Sequence, residues 1–185
     1  MSYHIAIDIG HARHTGATGN GYHEHTQCAI LAAHLKHILQ SYKVDPITAT
    51  IIDHPDLSNT ADLTATVRAI NTGTYDAVIS LHMDASDNPA AHGAHVCYYS
   101  ENGRLLAEQI ALRLCPQLPG RASQTVKRTD LYILKNTRPT AVLVECGFIT
   151  NPADAEWVDK HPDKVATSIA LGIAACLGVE SSPQG

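Results

Sequence analysis

No apolar run in this chain approaches the roughly 20 residues that a membrane helix needs, and the opening Met-Ser-Tyr-His has neither the charged nor the apolar region of an export signal. The expectation is a chain made in the cytoplasm as a soluble product, with no membrane partner. A basic excess is missing too: 13 Lys and Arg stand against 18 Asp and Glu, for a formal charge of −5. Nucleic-acid binding wants a basic patch and is therefore not expected. Cysteines are few and odd in number, five scattered at 28, 97, 115, 146 and 176, which fits reduced thiols better than a disulfide framework. Low-complexity stretches are absent, and no short expression such as His-Glu-x-x-His occurs. What remains is a 185-residue chain with 44% hydrophobic content, enough for one domain with a full core. That domain is expected over residues 1–179, with 180–185 a loose polar tail or the start of a linker, and monomer is the default.

The apolar runs alternate with helical patterns. Strands are predicted at 3–8, 47–52, 76–82, 93–99, 131–135 and 141–145, and helices at about 24–42, 60–72, 103–115 and 162–177. This βαβα order implies an α/β fold of three layers, a mixed central sheet of about six strands flanked by helices. The last helix keeps Val165, Ile169, Ile173 and Cys176 on one stripe and stops at Gly178.

Four polar residues punctuate these runs. The first run breaks at Gly10-His11 into a glycine-bearing loop, the run Tyr75 to Leu81 ends at His82, and Ala141-Val-Leu-Val ends at Glu145, while Glu24 opens the first helix. Strand ends in open α/β sheets converge on a common crevice. A charged Glu directly after four buried apolar residues costs several kcal/mol if unpaired, and so wants a cation or a reaction. A structural ion pair would satisfy it equally. Two neutral imidazoles and a carboxylate leave one tetrahedral position of a zinc ion open for water, with a further, non-ligating Glu available as base, which is what a hydrolase requires.

The segments that carry these residues resemble a known family. Ala-Ile-Asp-Ile-Gly-His (6–11), Thr-Gly-Ala (15–17) with Glu24, Val-Arg-Ala-Ile-Asn (67–71), Val-Ile-Ser-Leu-His-Met-Asp-Ala (78–85) and the long block from Leu131 to Asn151 are similar, in order, to the zinc-dependent N-acetylmuramoyl-L-alanine amidases of autolysins and phage endolysins. The resemblance runs roughly from Ile5 to Leu177. It implies that His11, Glu24 and His82 hold zinc and that Glu145 is the catalytic acid/base in hydrolysis of the amide between N-acetylmuramic acid and L-alanine in peptidoglycan. It also implies a site acting on the cell wall, reached through another protein's pore. Some cell-division members are held inactive by a helix inserted between the second His and the last Glu; there is no room for one here, which implies a constitutively open site. The chain departs from the family's usual pattern at Ile9, Ala12 and Asp84, none of which removes a ligand.

Other readings stand beside this one. Asp84 is either an acceptor for a His82 N–H or a turn residue bonding locally. Arg68 and Asn71 share a helix face and either contact glycan or peptide or form a surface pair. Of the 12 histidines, His34 and His37 fall on a helix's polar side, His14, His23 and His25 sit near enough to the glycine loop to touch substrate, and His4, His54, His92, His95 and His161 read as bystanders. Cys146 beside a histidine would make a thiol nucleophile, but Glu145 would then have no role. A zinc peptidase acting on a wall peptide and a non-catalytic wall-binding module are the alternative functions.

Overall fold

The computed structural model describes residues 1–179, so the expected tail at 180–185 lies outside the described residues. Strand β1 (Tyr3–Ile9) is buried over its last five residues, as its unbroken apolar run demands of a strand covered on both faces. It is flanked by β4 (Ile47–Ile52) and β5 (Ala77–Asp84), both parallel to it. Beyond β5 come β8 (Thr140–Phe148), parallel to β5, then β6 (His95–Tyr98), antiparallel to β8, and β7 (Thr125–Lys127), parallel to β6. The sheet is thus six-stranded and mixed, in the order β4-β1-β5-β8-β6-β7. A small hairpin, β2 (Thr18–Gly19) with β3 (Tyr22–His23), folds the loop after β1.

Helices cover both faces and make the three layers. The larger core joins α1 (Glu24–Gln40), α3 (Glu101–Leu114) and α6 (Pro162–Leu177) through side chains such as Leu31, Leu35, Ile110, Val165 and Ile169 to Ile5, Ile7, Ile79 and Val144. The smaller core packs α2 (Asn59–Thr72) and α4 (Tyr132–Asn136) on Ala6, Val78, Cys97 and Leu143, the alternate residues of the same strands. Ser100 caps α3 by accepting from Gly103 N at 3.0 Å, and Gly178 ends α6 in the left-handed conformation (φ 68°).

Two expectations are corrected. Residues 131–135 are not a strand: after Leu131 the chain turns into α4, with adjacent Ile133 and Leu134 buried and Tyr132 exposed, a helical rather than alternating pattern. A short apolar run carries too little periodicity to separate the two states. The sixth strand is instead β7, three residues between the predicted elements at about 103–115 and 131–135, held by pairing with β6. A further helix, α5 (Pro152–Lys160), was not foreseen. Its signal was present, since Asn151 accepts from Ala153 N and Asp154 N ahead of Pro152 at the first helical turn.

Candidate active site

Alternation along three neighbouring strands builds the floor of a cleft of about 430 Å³: Asp8 lies on β1 and Gly10 just after it, Ser80 and His82 lie on β5, and Leu143 and Glu145 on β8. All point to the face covered by α2 and α4. Asn59, Asp62 and Thr66 of α2 form one wall, and Arg128, Asp130 and the start of α4 the other. In register, His82 of β5 stands beside Glu145 of β8. His11 follows β1 with φ 63°, a left-handed conformation uncommon outside glycine and often found at functional sites.

Glu24 reaches this cluster from the opposite layer, because the start of α1 rises over the strand ends. Its carboxylate is buried and fully engaged. Oε2 accepts from Ala17 N at 2.8 Å and lies 3.5 Å from His11 Nε2; Oε1 accepts from Met83 N at 3.1 Å and lies 3.1 Å from His82 Nδ1. One donor atom from each of His11, Glu24 and His82 falls within 4.8 Å of the others. Each imidazole faces its own oxygen of Glu24, and a tetrahedral zinc with bonds of about 2.0–2.1 Å needs donors about 3.4 Å apart, so small adjustments within the 4.8 Å cluster would admit such an ion; the set is the nitrogen and oxygen chemistry zinc takes. Gly10 leaves the necessary space: a Cβ there would come within 2.5 Å of both His82 Cε1 and the Leu81 carbonyl oxygen.

The charges answer to one another. Burial alone would raise the Glu24 carboxyl, but the hydrogen bond and charge of His82 hold it below its ordinary value. Burial alone would lower His82, yet its bond to Glu24 and the charge of Glu145 lift it to about 9. Burial pushes His11 down against the pull of Glu24. In the metal-free cluster a proton on His82 therefore occupies the electrostatic role of a cation. Glu145 differs: burial raises it to about 7, with His82 opposing, and its buried Oε2 has no hydrogen-bond partner. Beneath them Asp8 accepts from Ser80 Oγ at 2.6 Å and is raised by burial to about 6.

With this geometry in hand, the family model for N-acetylmuramoyl-L-alanine amidase matches residues 5–175. The chain belongs to that family and is an enzyme of it. YqiI of Bacillus subtilis, an uncharacterised protein, is 30% identical over 176 residues, covering 91% of this chain and 82% of its own length. The B. subtilis N-acetylmuramoyl-L-alanine amidase LytC is also 30% identical over 91% of this chain, which spans only 34% of LytC. Among solved structures, the catalytic domain of CD27L endolysin targeting Clostridia Difficile superposes with a TM-score of 0.83 at 27% identity, over 94% of this chain and 97% of that one. The fold and the coarse activity, peptidoglycan amidase, are those of this family.

Within the amidase, the four residues singled out at the strand and helix boundaries come together, whereas the lesser candidates do not. Asp84 does not accept from His82; its Oδ1 takes the N–H of Ala85 at 2.8 Å, the local turn bond, because His82 already faces Glu24. Arg68 and Asn71 do not line the cleft. Asn71 is a tether, donating to Asn136 O and accepting from Arg138 N, each at 2.8 Å, and so binds the end of α2 to the chain around α4. His14 and His23 border a separate small pocket behind Glu24, and buried His25 lies 3.0 Å from Asp53. Cys146 is no nucleophile: it is buried in the larger core, on the other face of β8 from Glu145, and burial pushes its thiol far up. The cleft residues Asp8, Asn59, Asp62, Arg128 and Asp130 were missed. For Asp8 the signal was the one used for Glu145, a carboxylate within a buried apolar run.

Proposed function

We propose that this amidase hydrolyses the bond between the lactyl group of N-acetylmuramic acid and L-alanine with zinc held by His11, Glu24 and His82, and with Glu145 as acid/base. The observation that carries the reading is the convergence of two imidazoles paired with Glu24 beside a carboxylate whose buried Oε2 has no partner among the described residues, at the cleft that His11, His82 and Glu145 line. A zinc ion held by His11, Glu24 and His82 would supply Lewis-acid chemistry there, for the carbonyl and for the attacking water, whose pKa it would lower toward ~7. Glu24 and the two imidazoles hold their donors at fixed separations before any ligand arrives, so little reorganisation is left to binding. Glu145, with a pKa near 7, accepts the proton of the attacking water and then returns it to the departing alanine nitrogen. Removal of the amine is the hard half of amide cleavage, and one carboxylate alternating between base and acid serves both halves. On this reading the protein acts at the cell wall.

The test is mass spectrometry of purified peptidoglycan digested with and without a strong zinc chelator. Stem peptides with new N-terminal L-alanine, lost when chelator is present, are the expected products. Cleavage inside the peptide would make the protein a peptidase, and zinc-loaded protein that cuts no wall type would overturn the catalytic reading.

A further inference from the structure

Glu145 Oε2 is one of three buried side-chain polar atoms without a partner among the described residues, and a second is Nδ1 of His95. The two residues are directly opposite each other in the antiparallel pairing of β6 with β8. Opposed residues of such a pair project to the same face with Cβ atoms about 5 Å apart. A row therefore runs across the sheet: His82, Glu145, His95. The register is firmly set. Asp154 Oδ2 accepts from Gly93 N at 2.7 Å and from Phe148 N at 2.9 Å, which clamps the entry of β6 to the end of β8.

We propose that His95 is the positioning partner of Glu145: its Nδ1–H donates to the inner Oε2 of the carboxylate, so that Oε1 is the oxygen presented to the cleft. The inference rests on the reading of Glu145 as the acid/base. His95 is only 4% exposed, and a buried ring nitrogen left without a bond is costly. The charged groups acting on it are Arg121 ahead of β7, Asp84 on β5 and Arg128 after β7, with Glu145 opposite it on β8; burial first, then Arg121, pushes it down to about 4. It is thus a neutral imidazole with one N–H to give. A neutral donor fixes a carboxylate's rotation without adding a positive charge that would weaken it as a base. Catalytic hydrogen bonds are commonly loose without substrate and tighten in the substrate complex, which accounts for two facing atoms that are unpaired at rest.

The test compares His95→Phe and His95→Gln with the parent, all zinc-loaded, for kcat and KM on a muramoyl-peptide, alongside ¹⁵N imidazole spectra of the parent and of Glu145→Gln. The expected result is a kcat about 10- to 100-fold lower in His95→Phe with KM and zinc content unchanged, partly restored in His95→Gln, whose amide can donate. In the spectra His95 Nδ1 should carry the proton, and its shift should move in Glu145→Gln. Turnover within about twofold of the parent in His95→Phe, a loss confined to KM, or an unprotonated Nδ1 would overturn the proposal. Should His95→Phe fail to fold, His95→Gln and the spectra decide. Near-native turnover in Glu145→Gln would instead overturn the acid/base reading, and leaves the spectral result on the His95 contact standing by itself.

Discussion

The two halves of the cleft treat their polar groups in opposite ways. On the β1 and β5 side, His11 and His82 each face an oxygen of Glu24, whose two oxygens also accept from Ala17 and Met83. On the β8 and β6 side, Glu145 and His95 each keep a buried atom that has no partner among the described residues. Pairing on the first side fixes donor positions at the cost of leaving little freedom, as a group that must hold a cation requires. On the second side burial raises Glu145 to about 7, within reach of proton exchange at neutral pH. The cleft thus holds a rigid cradle on one side and a reactive carboxylate on the other, and what differs is who the neighbours are.

The comparison is broken most severely on the cradle side. Replacing His11 or His82 by Ala should remove both metal and turnover, measured by metal analysis and product release, and a variant retaining stoichiometric zinc would deny that residue its place. On the reactive side Glu145→Gln should lower turnover by about 10²- to 10⁴-fold while the metal content stays native. Gly10→Ala tests whether the cradle's space matters: the added methyl drives into the His82 ring and the Leu81 carbonyl, and zinc affinity should fall about tenfold or more in a chelator competition.

Proton linkage sharpens the contrast further. His82 is raised to about 9 in the metal-free fold, so its proton favours that fold fully below its ordinary value of 6.5, and the benefit is lost as pH rises through 9. On the zinc reading the ion displaces that proton, whereas Glu24 and His11 are both shifted down. Apparent zinc affinity should rise about tenfold per pH unit from about 7 to 8.5, and calorimetry in buffers of different ionisation heat should count one proton released. A flat profile would mean that His82 is neutral before metal arrives. The smallest effect is expected away from the cleft: Asn71→Ala should cost about 1 kcal/mol in denaturant unfolding and leave turnover unaltered.

Most of the sheet was legible because β1, β5 and β8 are apolar runs bounded by polar residues. Where a run was short, as at Leu131 to Lys135, the strand and helix readings were equivalent until packing put Ile133 and Leu134 into the smaller core. Asn71 admitted both a substrate contact and a surface pair, since its helix position is all that a sequence displays; the backbone groups it bonds, 65 and 67 positions away, are not. His95 read as a bystander for the same reason, as strand register is set by partners distant in the chain.

The sequence by itself determined the α/β class, the strands that would be buried, and the residues His11, Glu24, His82 and Glu145 as the polar breaks in apolar runs. Periodicity and the cost of burying a charge are local properties, readable without coordinates. Only the tertiary structure decided that Glu24 crosses from the helix layer to join two strand residues, and that His82, Glu145 and His95 form one row. It decided too that Asp84 and Asn71 spend their hydrogen bonds elsewhere. Those outcomes depend on strand order and register, which arise from contacts between segments far apart along the chain.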